Sequence, residues 1–437
     1  MEPISGKENL KREIGVRSLT LAILNITVGT GIFVIPAIIA ENLGATAILA
    51  YLVCGVLIFF IALCFAEVGS KTTGSGGTYA YIETAFGPFA GFLANSIYCF
   101  GACIISDAAV ANALADTLKY FFPSLGHDIF RIPFFVIVFG GLALLNIRSV
   151  KHGVRLVEFT AIGKIIPLVV LVIIGAGFIS TDNLKWVTAP TIGSIGTASL
   201  LLFYAFMGLE TPLSNGAEIK NPKRTVPLAI FLGICCVLIL YMSIQLVTQG
   251  VLGATIAAHK DAPLAAVSGI IFGKAGIIMI IIATAISMLG ALGGEMLSIP
   301  RILYAGARDG VMPKILARVH PRFFTPYTAI IFYSSLGLLF AIFGGFRQLA
   351  IIASAASLII YLGVVLATLK LRRSDTATSE KTFRIKGGLI IPLLAIATIV
   401  WLLSNLTKEE LVGMAIFIAV FSAIYFVIKL WKKDNAK

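Results

Sequence analysis

Charge is what this sequence has least of. Asp, Glu, Lys and Arg together supply 13% of its 437 residues, against 58% hydrophobic residues and a mean hydropathy of +0.99. A soluble domain needs more charge than this to cover its surface, so the composition points to a chain that crosses a membrane repeatedly. Acidic residues are the scarcer sign, 21 against 34 basic ones, which leaves a formal net charge of +13. The basic residues lie in short loops between apolar runs, which is the pattern of membrane orientation and not of nucleic-acid binding. Cysteine and histidine are also few, at 6 and 4. Cys54, Cys64, Cys99, Cys103, Cys235 and Cys236 all fall inside apolar runs, where thiols behave as small hydrophobes. His127, His152, His259 and His320 are scattered, and none pairs with a cysteine at a ligand spacing. No disulfide framework, metal site or cofactor is expected. Neither HExxH nor GxxxxGK[ST] occurs, so the sequence offers no signature of a metal-dependent enzyme or a nucleotide-driven pump. The N-terminus has no short apolar core followed by a small-residue cleavage site, so no signal peptide is expected.

Long apolar runs are abundant. Twelve are long enough to span a bilayer, which takes about 20 residues. They fall near 17–41, 44–67, 84–118, 129–147, 155–179, 194–216, 226–250, 264–304, 327–345, 348–371, 388–405 and 409–431. The third and eighth are long enough to be tilted or to extend beyond the bilayer. The fold class is therefore an all-α polytopic membrane protein with twelve transmembrane helices. One set of alternate loops carries most of the Lys and Arg, among them Arg148, Lys151, Arg155, Lys220, Lys223 and Arg224. The opposite set holds only Lys119, Arg131, Lys185, Lys260, Lys274, Arg347 and Lys408. That imbalance predicts cytoplasmic termini.

Two stretches interrupt the helical pattern. The first is Thr27-Val28-Gly29-Thr30-Gly31-Ile32-Phe33-Val34-Ile35-Pro36. Two glycines around a threonine weaken a helix, and Pro36 cannot donate to the preceding turn. A break at mid-membrane would turn freed N–H and C=O groups toward a cavity; a kinked or closely packed helix is the alternative. The second stretch is Phe203-Tyr204-Ala205-Phe206-Met207-Gly208-Leu209-Glu210-Thr211-Pro212, in the sixth run. The two lie five helices apart and so cross the membrane in opposite senses. Paired interruptions of this kind point to an inverted-repeat transporter and favour true breaks. The organisation predicted is a cytoplasmic segment 1–16, a first repeat 17–180, a second repeat 194–371, two peripheral helices over 388–431 and a tail 432–437.

Several motifs then follow in order. They are Gly29-Thr30-Gly31-Ile32-Phe33, Gly74-Ser75-Gly76-Gly77-Thr78-Tyr79, Ala205-Phe206-Met207-Gly208-Leu209-Glu210, Glu218-Ile219-Lys220-Asn221-Pro222, and Ala307-Arg308-Asp309-Gly310-Val311-Met312-Pro313. Together they resemble the amino acid–polyamine–organocation (APC) superfamily of transporters. The pattern is most similar to bacterial arginine/agmatine and putrescine/ornithine antiporters and to light-subunit-type amino acid exchangers. The resemblance covers about the first 330 residues. It implies the leucine-transporter-type fold of five plus five helices, alternating access, and an amino acid site at the two breaks.

On this reading the substrate carboxylate meets the N–H groups of Thr30, Gly31 and Ile32 and the Thr30 hydroxyl, at the positive end of a half-helix. The resemblance assigns the ammonium to the carbonyls of Thr27, Tyr204 and Met207, and adds Gly29, Ser106 and Phe206 to the pocket. Lys164 is a lysine deep in the fifth run, about 14 Å beyond Arg155 at helical rise. It either snorkels or has a buried structural partner. The resemblance places it where sodium-coupled relatives hold sodium, against the Gly29 carbonyl and Ser287, so that its ammonium replaces a coupling cation. Asp107, Glu210 and Glu295 are intramembrane acids expected to face the interior. Glu210 matches a position tied to gating or proton sensing, with helix capping as the alternative. Glu295 stands where the arginine/agmatine antiporter has a pocket tryptophan. There it either holds a cationic side chain, pairs internally or titrates. Of Phe33, Tyr98, Tyr204, Phe206 and Tyr241, only Tyr204 and Phe206 are favoured for the site; the rest are expected to pack.

The leading expectation is a sodium-independent amino acid exchanger in the plasma membrane, with no enzymatic activity. A proton-coupled symporter or a cationic amino acid/polyamine antiporter is the alternative. A channel is disfavoured, because it would need a continuous polar lining. Partners are limited to a small-molecule amino acid and the lipid bilayer. Homodimer formation stays open, and no nucleic acid or obligatory partner is expected.

Overall fold

No water in a bilayer core competes for backbone hydrogen bonds, so a chain this apolar closes them within helices. The computed structural model describes residues 14–71, 77–148, 150–208, 219–308, 312–374, 384–385 and 388–434. Among these the only bridge outside helices joins Ile14 to Ile219. The first elements are α1 (Val16–Thr27), α2 (Gly31–Leu43), α3 (Ile48–Lys71), α4 (Gly77–Phe86) and α5 (Pro88–Ser96). A π-helical segment, Ile97–Cys103, leads into α6 (Ile104–Leu118), followed by α7 (Asp128–Arg148) and α8 (Val150–Gly175). Next come α9 (Ile192–Phe203), α10 (Pro222–Leu252) and α11 (Pro263–Arg308). The chain closes with α12 (Tyr327–Phe343), α13 (Phe346–Ser374), α14 (Ile390–Leu403) and α15 (Lys408–Asp434).

Seven helical stretches among the described residues are long and apolar enough to cross a membrane, and five further apolar helices are shorter. Two of the shorter ones, Val16–Thr27 and Ile192–Phe206, end at the two expected breaks. The third apolar run does not begin at residue 84 as one helix. Gly87, at φ 91°, ends α4 and starts α5, a backbone conformation that only glycine takes without strain. The eighth run is likewise divided. Gly273 (φ 65°, ψ −155°) turns the chain inside α11, so the spanning part begins after it.

Polar side chains link the helices where apolar contact alone gives little specificity. Asn112 of α6 donates to the Ala341 carbonyl of α12 at 3.0 Å, and Ser334 of α12 to the Phe139 carbonyl of α7 at 3.0 Å. Arg372 on α13 donates from Nε and Nη2 to the Glu67 carboxylate of α3, each at 2.6 Å, and the Ile385 N–H adds a bond at 2.9 Å. Their side chains are 5% and 0% exposed, so each charge depends on the other. At the other end of the bundle, Lys260 pairs with Glu41 at 2.6 Å, Lys119 with Asp261 at 2.9 Å and Arg131 with Asp116 at 2.6 Å.

Candidate functional site

The first interruption is three residues long. α1 ends at Thr27, α2 starts at Gly31, and Val28–Thr30 are not helical. The Val28 N–H still reaches the Leu24 carbonyl at 2.9 Å, and Gly29 turns its N–H back to Thr27 at 2.7 Å. The first N–H groups of α2 then have no partner within the helix. Pro36 lies inside α2 and is not itself the break. The second interruption follows α9. Tyr204–Phe206 tighten into a 3-10 turn, Met207 is extended (φ −67°, ψ 158°), and Gly208 takes φ 98°. A side chain at Gly208 would also meet Ile26 Cγ2 at 2.8 Å, so the two breaks pack directly on each other.

One cavity of about 470 Å³ opens between them. Of the residues singled out from the sequence, it is lined by Thr27, Gly29, Thr30, Gly31, Tyr98, Ser106, Asp107, Lys164, Tyr204, Met207 and Glu295. Thr27 and Thr30 are buried, and neither hydroxyl has a hydrogen-bond partner. An orphaned buried hydroxyl costs about 1–3 kcal/mol, so two on one wall mark where a polar ligand would be stabilised. From the breaks the cavity runs along Leu297, Ser298 and Ile302 toward the C-terminal end of α11. On its other side the Tyr204 ring meets Phe346 edge-on at 5.8 Å. Phe346 in turn lines a separate vestibule of about 660 Å³ that also holds Glu41, Asp116, Lys260 and Arg347. The Tyr204–Phe346 contact therefore stands between two chambers. Ser106 steadies it by donating to the Tyr204 hydroxyl at 3.0 Å, while that hydroxyl donates to the Ser106 carbonyl at 3.2 Å.

Several expectations are corrected. Ile32, Phe206 and Ser287 do not line the cavity; they are buried at 0%, 1% and 2% exposure. Ile32 follows Gly31 around the helix into packing, and the Phe206 ring stacks edge-on against Tyr241 at 5.2 Å. Lys164 does not bond Gly29 or Ser287. Its Nζ donates to the carbonyl of Asn25. The reason is local: α1 ends at Thr27, so the last-turn carbonyls have no helical partner, and an ammonium is favoured at that negative end. The Thr27 carbonyl is not open to a substrate ammonium. It already accepts from the Gly29 N–H at 2.7 Å and from the Tyr241 hydroxyl at 2.7 Å. Glu210 lies outside the described residues.

Tyr241 and Tyr98 were expected only to pack. Tyr98 lines the cavity. The Tyr241 hydroxyl on α10 is buried and lies 2.7 Å from the Thr27 carbonyl and 2.9 Å from the Ala205 carbonyl. Its single proton is shared between the two breaks. Tyr241→Phe keeps the ring and removes that tie, so the fold should lose about 1–3 kcal/mol, as expected for an unsatisfied buried carbonyl. The check is thermal unfolding of the purified protein; an unchanged transition would reduce the hydroxyl to a space filler. The π-helical segment, which no pattern in the apolar run announces, brings Tyr98, Ala102 and Cys103 to the cavity just before Ser106 and Asp107.

A sequence model of the amino acid permease family matches residues 14–435. A branched-chain amino acid permease of Bacillus subtilis is 27% identical, with 99% of this chain and 96% of the relative covered. A serine/threonine exchanger of the same organism is 28% identical over 96% of this chain and 97% of its own length. A methylthioribose transporter, also of Bacillus subtilis, is 25% identical over 97% of this chain and 94% of its length.

Proposed function

Since the chain belongs to the amino acid permease family, within the APC superfamily, we propose that it is a secondary active transporter that moves an L-amino acid by alternating access. The observation that carries this is the cavity between the two helix breaks, with the orphaned Thr27 and Thr30 hydroxyls on its wall. Backbone N–H groups at the start of α2 that have no partner within the helix, together with the Thr30 hydroxyl, take the substrate carboxylate. Carbonyls of the second break, at Tyr204 and Met207, take the ammonium.

The five-plus-five arrangement follows from the same breaks. Residues 17–180 and 194–371 form the inverted repeats of a twelve-span fold, with 388–431 peripheral. The excess of Lys and Arg on one set of loops places both termini in the cytoplasm of a plasma-membrane protein. The cavity then opens inward, and the Tyr204–Phe346 contact is the closed outer side. Transport is sodium-independent exchange, because the Lys164 ammonium on the Asn25 carbonyl supplies a fixed cation beside the first break.

The test is competition in sodium-free proteoliposomes. L-amino acids should compete at least about tenfold better than the matching decarboxylated amines, the discrimination of a site that hydrogen-bonds the missing group. Amines that compete equally, or accumulation of methylthioribose but of no amino acid, would contradict the proposal.

A further inference from the structure

Resting on the reading of the cavity as an amino acid site open to the cytoplasm, we propose that Arg301, at its inner mouth, is a second carboxylate subsite, which holds the substrate's carboxylate between the cytoplasm and the start of α2. A guanidinium is always charged, and inside a membrane protein it needs an anion or a set of acceptors. The charged groups that line the cavity are engaged. Lys164 donates to the Asn25 carbonyl, Asp107 Oδ2 accepts from the Tyr333 hydroxyl of α12 at 2.9 Å, and Glu295 has a partner too. Toward the two ends of the bundle, Arg131 is bonded to Asp116 at 2.6 Å and Arg372 to Glu67 at 2.6 Å. Arg301 differs from all of these. Its Nη1 and Nη2 are both buried and have no hydrogen-bond partner, a state that no other Lys or Arg nitrogen shares among the described residues.

Helix geometry puts Arg301 on the path. Leu297, Ser298 and Ile302 line the cavity where it runs toward the C-terminal end of α11. Arg301 stands one turn after Leu297 and Ser298, on the same face and about 5 Å further along. That face is partly or fully exposed at Ala291, Ser298, Ile302 and Ala305, while Met296, Ile299 and Leu303 are packed. Two turns on, Arg308 is exposed and lies over the Tyr304 ring at 6.0 Å, so two basic side chains follow one another out of the cavity. Arg301 itself is partly exposed, and no hydrogen bond holds its guanidinium where it lies. Rotation at the end of the side chain therefore presents it to an anion. A planar guanidinium takes a carboxylate through two parallel N–H bonds, and here it is the two Nη nitrogens that are unfilled. A carboxylate loaded from the cytoplasm thus meets Arg301 before it meets the N–H groups of α2.

The experiment is exchange by the full-length protein in proteoliposomes of one orientation, with L-serine, L-leucine and L-arginine as probes. KM is measured separately on the cytoplasmic and the external face. Arg301→Gln should raise the ratio of cytoplasmic to external KM about tenfold, the loss of one charge-assisted contact. Arg301→Lys keeps the charge without the fork and should recover part of that loss. Added salt should raise the cytoplasmic KM of the wild type more than that of Arg301→Gln. Because Arg301 leaves no partner behind, Arg301→Gln should unfold thermally no earlier than the wild type. A ratio that rises less than about twofold overturns the proposal. An earlier unfolding transition overturns it as well, since it would reveal a structural partner. So does a shift confined to vesicles that contain phosphatidylglycerol, which would make a lipid phosphate the occupant. In each of these cases the amino acid reading stands. Exchange of none of the three probes by the wild type removes that reading and this inference with it.

Discussion

Gly31→Val should abolish transport, by more than about a hundredfold, while the protein still inserts and purifies. A Cβ at Gly31 would lie 2.7 Å from the Ala205 Cβ, 2.8 Å from the Ala205 Cα and 3.2 Å from the Ile35 Cδ1. The obstacle at 2.8 Å is backbone, not the end of a flexible side chain, so it cannot swing aside. Overpacking of this kind costs about 1–3 kcal/mol or more in a soluble core. Here the strain falls between the two breaks, whose relative movement the proposed alternating access requires. The matched control is Gly140→Ala on α7, where nothing stands within 4 Å. That variant should transport at the wild-type rate. Exchange measured per molecule in proteoliposomes decides; activity in Gly31→Val would mean that the breaks need not approach this closely at any stage of the cycle.

Lys164→Ala should be nearly as damaging. Lys164 is 9% exposed, and its ammonium meets the Asn25 carbonyl at the C-terminal end of α1. Removing it leaves a last-turn carbonyl without its donor and the negative helix end without its cation. Losing a charge-assisted bond at a buried group costs about 1.5–3 kcal/mol, or roughly ten- to a hundredfold in the population of the state that it holds. Transport should fall by that factor with membrane insertion intact. Lys164→Arg keeps the charge and should restore part of it. Wild-type turnover in Lys164→Ala would show that the amine only reaches for the membrane surface.

The first break was legible because its cause is local: Gly29 and Gly31 flank Thr30, and the helix stops there. The second was legible for the same reason at Gly208, whose φ of 98° requires glycine. Some of the residues that line the cavity lie beside the breaks, and Thr27, Thr30, Tyr204 and Met207 are within a few positions of them. Contacts set by distant packing were not legible. Tyr241 reaches Thr27 from 214 positions away, and nothing in an apolar run distinguishes its hydroxyl from a packed one. The partner of Lys164 was misplaced by one helical turn, because the carbonyl that it meets depends on where α1 ends. The π-helical turn at Ile97–Cys103 and the divisions at Gly87 and Gly273 also escaped, as long apolar runs hide irregular backbone. Phe346 and Tyr333 came from helices whose sequences carried no sign of the site.

The proposed function has this cavity pass an L-amino acid across the membrane by exchange. The most direct measurement is counterflow in sodium-free proteoliposomes, with labelled L-amino acid outside and the vesicles either empty or loaded with unlabelled amino acid. Uptake should be stimulated by internal amino acid, lost in Gly31→Val and retained in Gly140→Ala. Uptake that needs a sodium gradient and is indifferent to internal amino acid would contradict it.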